Sequence, residues 1–218
     1  FFFVCVHSQA QSYSFINFSV AEGLAQSQVS SIVQDEKGYL WVGTMGGLGR
    51  FNGKTFENFS TNNGLLNNRI TSLEVIKEQL WVGHEGGVTL IENEKFSRWA
   101  FTESNKNISV ISITPFQDGQ VIATNGSGLF FINKQKQIRN ILLPTTDQNR
   151  VRGLIQINQD LYIATRGGLL KTNDLYEFKL ADDSLNLNIS GITLRNKKLF
   201  ITTFDQGFFE LDYNSKKI

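Results

Sequence analysis

Short apolar runs of about five residues alternate along the chain with turns rich in Gly, Asn and Asp. The runs at 29–34 and 40–44 are typical, because they are separated by the turn Glu36-Lys37-Gly38. No stretch shows the 3.6-residue apolar period of an amphipathic helix. The pattern therefore predicts an all-β protein of short antiparallel strands.

One glycine-rich block returns through the sequence. LWVGTMGGL at 40–48 recurs as LWVGHEGGV at 80–88, and more loosely three times after that. The large residues that open these blocks are separated by 40, 40, 41 and 38 residues, and they are Trp41, Trp81, Val121, Tyr162 and Phe200. A unit of four strands that repeats near every forty residues is typical of a β-propeller blade. The alternative is a β-sandwich with accidental similarity, but five repeats in phase favour the propeller.

The repeat sets the predicted domain organisation. Residues 11–218 form the propeller, with repeat cores at 29–60, 70–99, 110–141, 151–178 and 189–213. Residues 1–10 are predicted to be the remnant of a secretory signal peptide, because an apolar run is followed by small residues before Gln11. A buried first strand is the alternative interpretation. Because the chain does not begin with Met, we expect it to be a fragment.

The two ends of the repeat region suggest how a ring closes. Residues 15–32 align with residues 56–73, so residues 15–19 correspond to the fourth strand of a blade. The last unit stops after its third strand. We therefore expect residues 15–19 to pair with the strand near Phe208–Leu211, since both edges are otherwise open. The result would be a closed five-bladed ring, and the alternative is part of a larger propeller.

Charge and residue types exclude several functions. The net charge is +1 and no basic stripe occurs, so we expect neither nucleic acid nor an anionic membrane surface as a partner. Trp41 and Trp81 lie on second strands and are predicted to be core residues. The predicted inner strands carry only Asp35 and Glu74 as acids, too few for the carboxylate pair of a glycosidase. With His84 as the one histidine after the signal, no catalytic triad, metal site or cofactor is expected.

The position after each second strand varies from blade to blade. In a propeller such turns lie together on one face, where variable side chains on a fixed scaffold bind ligands. The candidate binding residues are Met45, Glu85, Asn125, Arg166 and Phe204, together with His84, which replaces the threonine of the repeat. The opposite charges of Glu85 and Arg166 suit a polar or zwitterionic ligand. We expect His84 to be an exposed turn residue.

The repeat resembles that of the two-component regulator propeller family. The residues that carry the resemblance in the first unit are Asp35, Gly38, Leu40, Trp41, Gly43, Thr44, Gly47, Leu48, Phe51, Asn52 and Gly53. The lead-in to the second unit matches at Gly64, Leu65, Asn68, Ile70 and Leu73. The resemblance covers residues 15–213 and weakens through the last three units, where Ala or Thr replaces the glycine.

The resemblance implies the periplasmic sensor of a membrane-bound histidine kinase, often a hybrid kinase of Bacteroidetes-like bacteria, and more than five blades. The implied partners are a small extracytoplasmic ligand, with saccharides among the candidates, and kinase domains elsewhere in the parent. A homodimer of the parent, anchored in the inner membrane, is also expected. The alternatives are a free-standing propeller that binds protein or carbohydrate, and a propeller glycosidase.

Overall fold

The chain folds into consecutive antiparallel sheets, which confirms the all-β prediction. The structure is a computed structural model, and it describes residues 15–101, 108–182 and 186–211. Each strand pairs with the one before it and the one after it in sequence, so that every sheet is a simple up-and-down meander. Five such sheets follow one another in the described residues, and we number them blades 1 to 5.

The first three blades have four strands each. Blade 1 consists of β1 (Val29–Gln34), β2 (Leu40–Thr44), β3 (Gly47–Phe51) and β4 (Phe56–Phe59). Blade 2 consists of β5 (Ile70–Ile76), β6 (Gln79–His84), β7 (Gly87–Glu92) and β8 (Lys95–Ala100). Blade 3 consists of β9 (Val110–Phe116), β10 (Gly119–Thr124), β11 (Leu129–Asn133) and β12 (Ile138–Ile141).

The last two blades shorten at their outer edge. Blade 4 consists of β13 (Val151–Ile157), β14 (Asp160–Thr165), β15 (Gly168–Thr172) and the short β16 (Lys179–Leu180). Blade 5 has three strands within the described residues, β17 (Ile189–Arg195), β18 (Lys198–Thr203) and β19 (Phe208–Leu211). Two short 3₁₀ helices, Val20–Glu22 and Thr61–Asn63, precede blades 1 and 2.

The first strand of each blade packs against the first strand of the next. β1 lies on β5, β5 on β9, β9 on β13 and β13 on β17. These five strands therefore follow one another along the inner side of the arc, and we call them the inner strands. The first and last of these strands, β1 and β17, do not pack against each other in a comparable way in the part of the chain that the structure describes.

The hydrophobic core lies between the blades. Each of its four clusters combines residues from two successive blades, as when Trp41 of blade 1 packs with Ile70 and Leu73 of blade 2. Trp41 and Trp81 are 5% and 4% exposed, which confirms that both are core residues. Because each blade buries its face only against a neighbour, the fold is stabilised blade by blade.

The predicted ring closure is wrong. Residues 15–18 form no strand, and blade 5 has no fourth strand from the N-terminal segment. Instead, the Phe18 ring packs against the rings of Phe51 and Phe56 in blade 1, with centroid distances of 4.9 and 5.9 Å. The N-terminal segment thus lies beside blade 1, and the described neighbour of β19 is β18 alone. The described chain is an open arc.

Two other expectations concern the ends of the chain and its relation to a membrane. The predicted signal-peptide remnant at residues 1–10 lies outside the described residues. No helix in the described parts of the chain is long and apolar enough to span a membrane.

Candidate functional site

The five predicted tip residues occupy equivalent places at one end of the blades. In each blade the tip follows the second strand, and its backbone N–H donates a hydrogen bond to the carbonyl of the residue that precedes the inner strand. The pairs, at 3.0–3.3 Å, are Met45 with Gln28, Glu85 with Arg69, Asn125 with Ser109, Arg166 with Arg150, and Phe204 with Asn188. We call these five pairs the tip row. A ligand that lies along the row can contact side chains from several blades.

The members of the tip row differ in exposure. Asn125, Arg166 and Phe204 are exposed, whereas Met45 and Glu85 are half-buried. The structure brings all five to the same end of the blades. Blades 3, 4 and 5 therefore offer the most accessible side chains of the row.

The expectation that His84 is an exposed turn residue is wrong. Its side chain is fully buried, and its Nε2 lies 2.8 Å from Oγ1 of Thr89. The same Thr89 oxygen accepts the backbone N–H of Leu66 at 3.0 Å. Burial lowers the pKa of His84 to about 4, although the nearby Asn67 backbone partly opposes this. His84 is thus a neutral core residue beneath the tip row.

Both charged tip residues have partners close by in their own blades. Glu85 pairs with Arg69 at 3.0 Å, and Arg166 pairs with Asp147 at 3.5 Å. All four side chains are at least partly exposed, so each pair contributes little to stability. Glu85 and Arg166 therefore each have a partner of opposite charge within the chain.

Arg152 is not among the residues predicted from the sequence, and it projects from inner strand β13 towards blade 5. The carbon at the centre of its guanidinium lies 5.6 Å from the centroid of the Phe204 ring. Its Nε is buried and has no hydrogen-bond partner among the described residues. The available signal was that the equivalent positions in the other blades are uncharged, namely Ser30, Thr71, Ile111 and Ser190.

Other polar features lie apart from the tip row or lack partners for catalysis. Glu74 is exposed on β5, and partial burial of its carboxyl raises its pKa. No group of three or more His, Cys, Asp or Glu side chains suited to a metal occurs among the residues described. A cavity of about 400 Å³ lies at the opposite end of β14 from Arg166, and there Lys171 and Asp160 form an ion pair at 2.8 Å.

Solved structures with the same arrangement establish the fold class. The extracellular domain of a protein described as a hybrid two-component system of B. thetaiotaomicron matches 84% of this chain with a TM-score of 0.69 and 23% identity. Virginiamycin B lyase of Staphylococcus aureus matches 84% of this chain with a TM-score of 0.65 and 12% identity, over 69% of the lyase chain. At such low identity these likenesses concern the fold alone. The class of this chain is the β-propeller.

The particular kind of repeat follows from the sequence comparisons. Residues 23–46 match the two-component regulator propeller family. A histidine kinase of Formosa agariphila is 42% identical over 64 residues, which is 28% of this chain and 5% of the kinase. The chain also spans 27% of the matched B. thetaiotaomicron chain. Residues 23–46 of this chain thus carry a repeat that matches the two-component regulator propeller family, and the chain spans only a small part of these relatives.

Proposed function

We propose that this chain is an extracytoplasmic ligand-sensing region of a two-component sensor histidine kinase. The match of residues 23–46 to the regulator propeller family carries the proposal. The likeness to an extracellular domain of a two-component protein supports the location outside the cytoplasm. The chain would signal through kinase domains of a longer parent that is anchored in the inner membrane and forms a homodimer.

The ligand is proposed to bind along the tip row. Met45, Glu85, Asn125, Arg166 and Phe204 vary between blades while their backbone positions repeat, and this combination supports recognition by side chains on a fixed scaffold. A small polar ligand, such as a saccharide, fits the mixture of charge, amide and aromatic groups. To signal, the ligand must bind two arrangements of the propeller unequally.

A thermal-shift screen of sugars, oligosaccharides, amino acids and peptides tests the proposal. A ligand of the tip row should raise the melting temperature of this chain, and Glu85→Ala or Arg166→Ala should reduce that rise. Lys171→Ala is a matched control, because this partly exposed, ion-paired residue lines the cavity at the opposite end of blade 4. A ligand unaffected by either tip variant would exclude the tip row. If the chain hydrolyses a glycoside and Glu74→Gln abolishes that activity, the chain is an enzyme and the proposed sensing function is wrong.

A further inference from the structure

Two arginines at the start of blade 4, Arg150 and Arg152, have no acidic partner in the part of the chain that the structure describes. Within the described residues, neither Arg150 nor Arg152 forms an ion pair, whereas Arg166 beside them is paired with Asp147. Asp205, which follows the tip of blade 5, makes no ion pair in the same part of the chain. The seam between blades 4 and 5 therefore has, in Arg152, a cationic group that no ion pair within the described residues neutralises.

Arg152 is the central group of this seam. Its Nε is withdrawn from water and its guanidinium lies against the ring of Phe204, so the cation is only partly hydrated. A half-buried guanidinium usually meets a carboxylate or phosphate, because its planar set of N–H donors matches two oxygens of such a group. The Phe204 ring provides part of that stabilisation, but it accepts no hydrogen bond from the N–H groups that lie in the plane of the guanidinium. An anion is the partner that this group lacks.

Phe204 gives the same seam an apolar surface. Its side chain is 63% exposed although it is a large hydrophobic group, and its backbone N–H is held by the Asn188 carbonyl at 3.0 Å. Arg152 comes from blade 4 and Phe204 from blade 5, so a ligand that contacts both spans two blades. An exposed ring beside a cation can hold a ligand that has an apolar or ring-shaped face next to an anionic group.

We propose that the seam between blades 4 and 5 binds a ligand with a carboxylate or sulfate group beside a ring. Arg152 engages the anionic group, and Phe204 packs against the ring. This inference rests on the proposed sensing function and specifies the ligand of its tip row as an anion. It departs from the sequence-based expectation of a zwitterionic ligand, because Glu85 and Arg166 are already paired within the chain.

Pairs of probes in which a carboxylate replaces a neutral group on the same ring test this proposal. Galacturonate and galactose form one pair, and benzoate and benzamide form the other. Saturation-transfer NMR titrations should show binding of the two anions in preference to their neutral counterparts. The affinity for the anions should fall as salt is raised, since the charges of the tip row are partly exposed to solvent. Loss of a charged hydrogen bond in Arg152→Gln should weaken anion binding roughly tenfold to a hundredfold.

Matched variants separate this site from general effects of charge. Arg139 also lies over an aromatic ring, 4.7 Å from the centroid of Tyr176, but on the outer strand β12. Arg139→Gln should therefore leave anion binding unchanged. Arg152→Lys retains the charge without the planar donor set and should bind more weakly than the wild type. It also replaces Arg152→Gln as the test if the latter does not fold. Phe204→Ala should weaken binding of both anions.

Two outcomes would overturn the proposal. Equal binding of charged and neutral probes would remove the anionic specificity, and equal effects of Arg139→Gln and Arg152→Gln would remove the seam as the site. A ligand from the thermal-shift screen that depends on Glu85 or Arg166 but not on Arg152 would overturn this inference and leave the proposed sensing function intact.

Discussion

At the residue scale, the buried polar residue that ends the second strand is of a different type in blade 2 than in blades 1, 3 and 4. In blades 1, 3 and 4 a threonine hydroxyl donates to the carbonyl of a glycine that begins the third strand or directly precedes it. The distances are 2.7–2.8 Å, in the pairs Thr44–Gly47, Thr124–Gly128 and Thr165–Gly168. In blade 2 His84 takes this place and bonds to Thr89, whose hydroxyl in turn satisfies the N–H of Leu66. The polar core of blade 2 therefore depends on a group that can be protonated.

This dependence predicts that blade 2 is weakened by mild acid. The folded protein holds His84 neutral with a pKa of about 4, whereas the unfolded chain protonates it near pH 6.5. Between these values the unfolded state binds more protons, so stability is full above pH 6.5 and is lost as the pH falls towards 4. The loss should approach about 3 kcal/mol, measured by urea unfolding at a series of pH values.

Comparison with His84→Thr isolates this effect, because Thr is the residue of the other blades. Glu74, whose raised pKa acts in the opposite direction, and the ion pair of Arg69 with Glu85 are common to both proteins. The difference in unfolding free energy between wild type and variant should shrink or reverse as the pH falls from 6.5 to 4. A difference that stays constant with pH would mean that His84 is protonated equally in both states.

The tip row could be located from sequence, but the chemistry of its neighbourhood could not. Met45, Arg166 and Phe204 each follow the threonine that ends a second strand, so their shared position is visible in the alignment of the units. The burial of His84 was not predicted because His84 is the last residue of a buried strand and the turn begins at the next residue. The contact of Arg152 with Phe204 joins residues from different blades, and a period of forty residues does not state which side chains meet across a seam.

At the element scale, the spacing between blades is set by one small residue on each second strand. A Cβ added to Gly83 would lie 2.7 Å from Cγ1 of Val110, the first residue of the next inner strand, and 2.2 Å from Oγ of Ser72. Gly43 has the same relation to Ile70. Ala123 and Ala164 take this place in blades 3 and 4 and are fully buried.

Enlarging the residue at this position should therefore matter only where a further blade follows. Gly83→Ala should destabilise the protein by about 1–3 kcal/mol through overpacking against Val110. The matched change is Thr202→Ile in blade 5, which also enlarges the side chain but should have little effect because Thr202 is exposed. Thermal and urea unfolding of both variants would test this. If Thr202→Ile is the more harmful change, another surface covers the last blade.

The outer strands are the elements that sequence predicted least well. Residues 15–19 and 56–60 are similar, and both sets end in a serine that caps a 3₁₀ helix, Ser19 with Glu22 and Ser60 with Asn63. Yet only the second set contains a strand, β4, because it alone lies beside a third strand. Similar local sequence is enough to form the helix cap, because its partners are three residues apart. A strand also needs a neighbouring strand to pair with.

At the scale of the whole molecule, the two ends of the arc expose faces that are buried elsewhere. Val29 and Ile32 on β1 are 42% and 58% exposed, whereas the equivalent Val110 and Ile113 on β9 are 0% and 2% exposed. In the interior of the arc such residues pack on the second strand of the preceding blade. The number and order of blades could be predicted from the repeat. Whether they close could not, because closure depends on the angle between blades, which the side chains at each seam determine.

A comparison of Ile32 with Ile113 tests the open arc in solution. The two residues occupy the same position in β1 and β9, so replacing either by alanine removes the same atoms. Ile113→Ala should destabilise the protein by about 2–5 kcal/mol because it leaves a cavity between blades. Ile32→Ala should change the unfolding free energy by no more than about 0.5 kcal/mol, since water already reaches this side chain. Equal losses of unfolding free energy would show that another surface covers β1. A melting temperature that rises with protein concentration would then identify that surface as a second copy of the chain. A melting temperature that does not depend on concentration would identify it as blade 5.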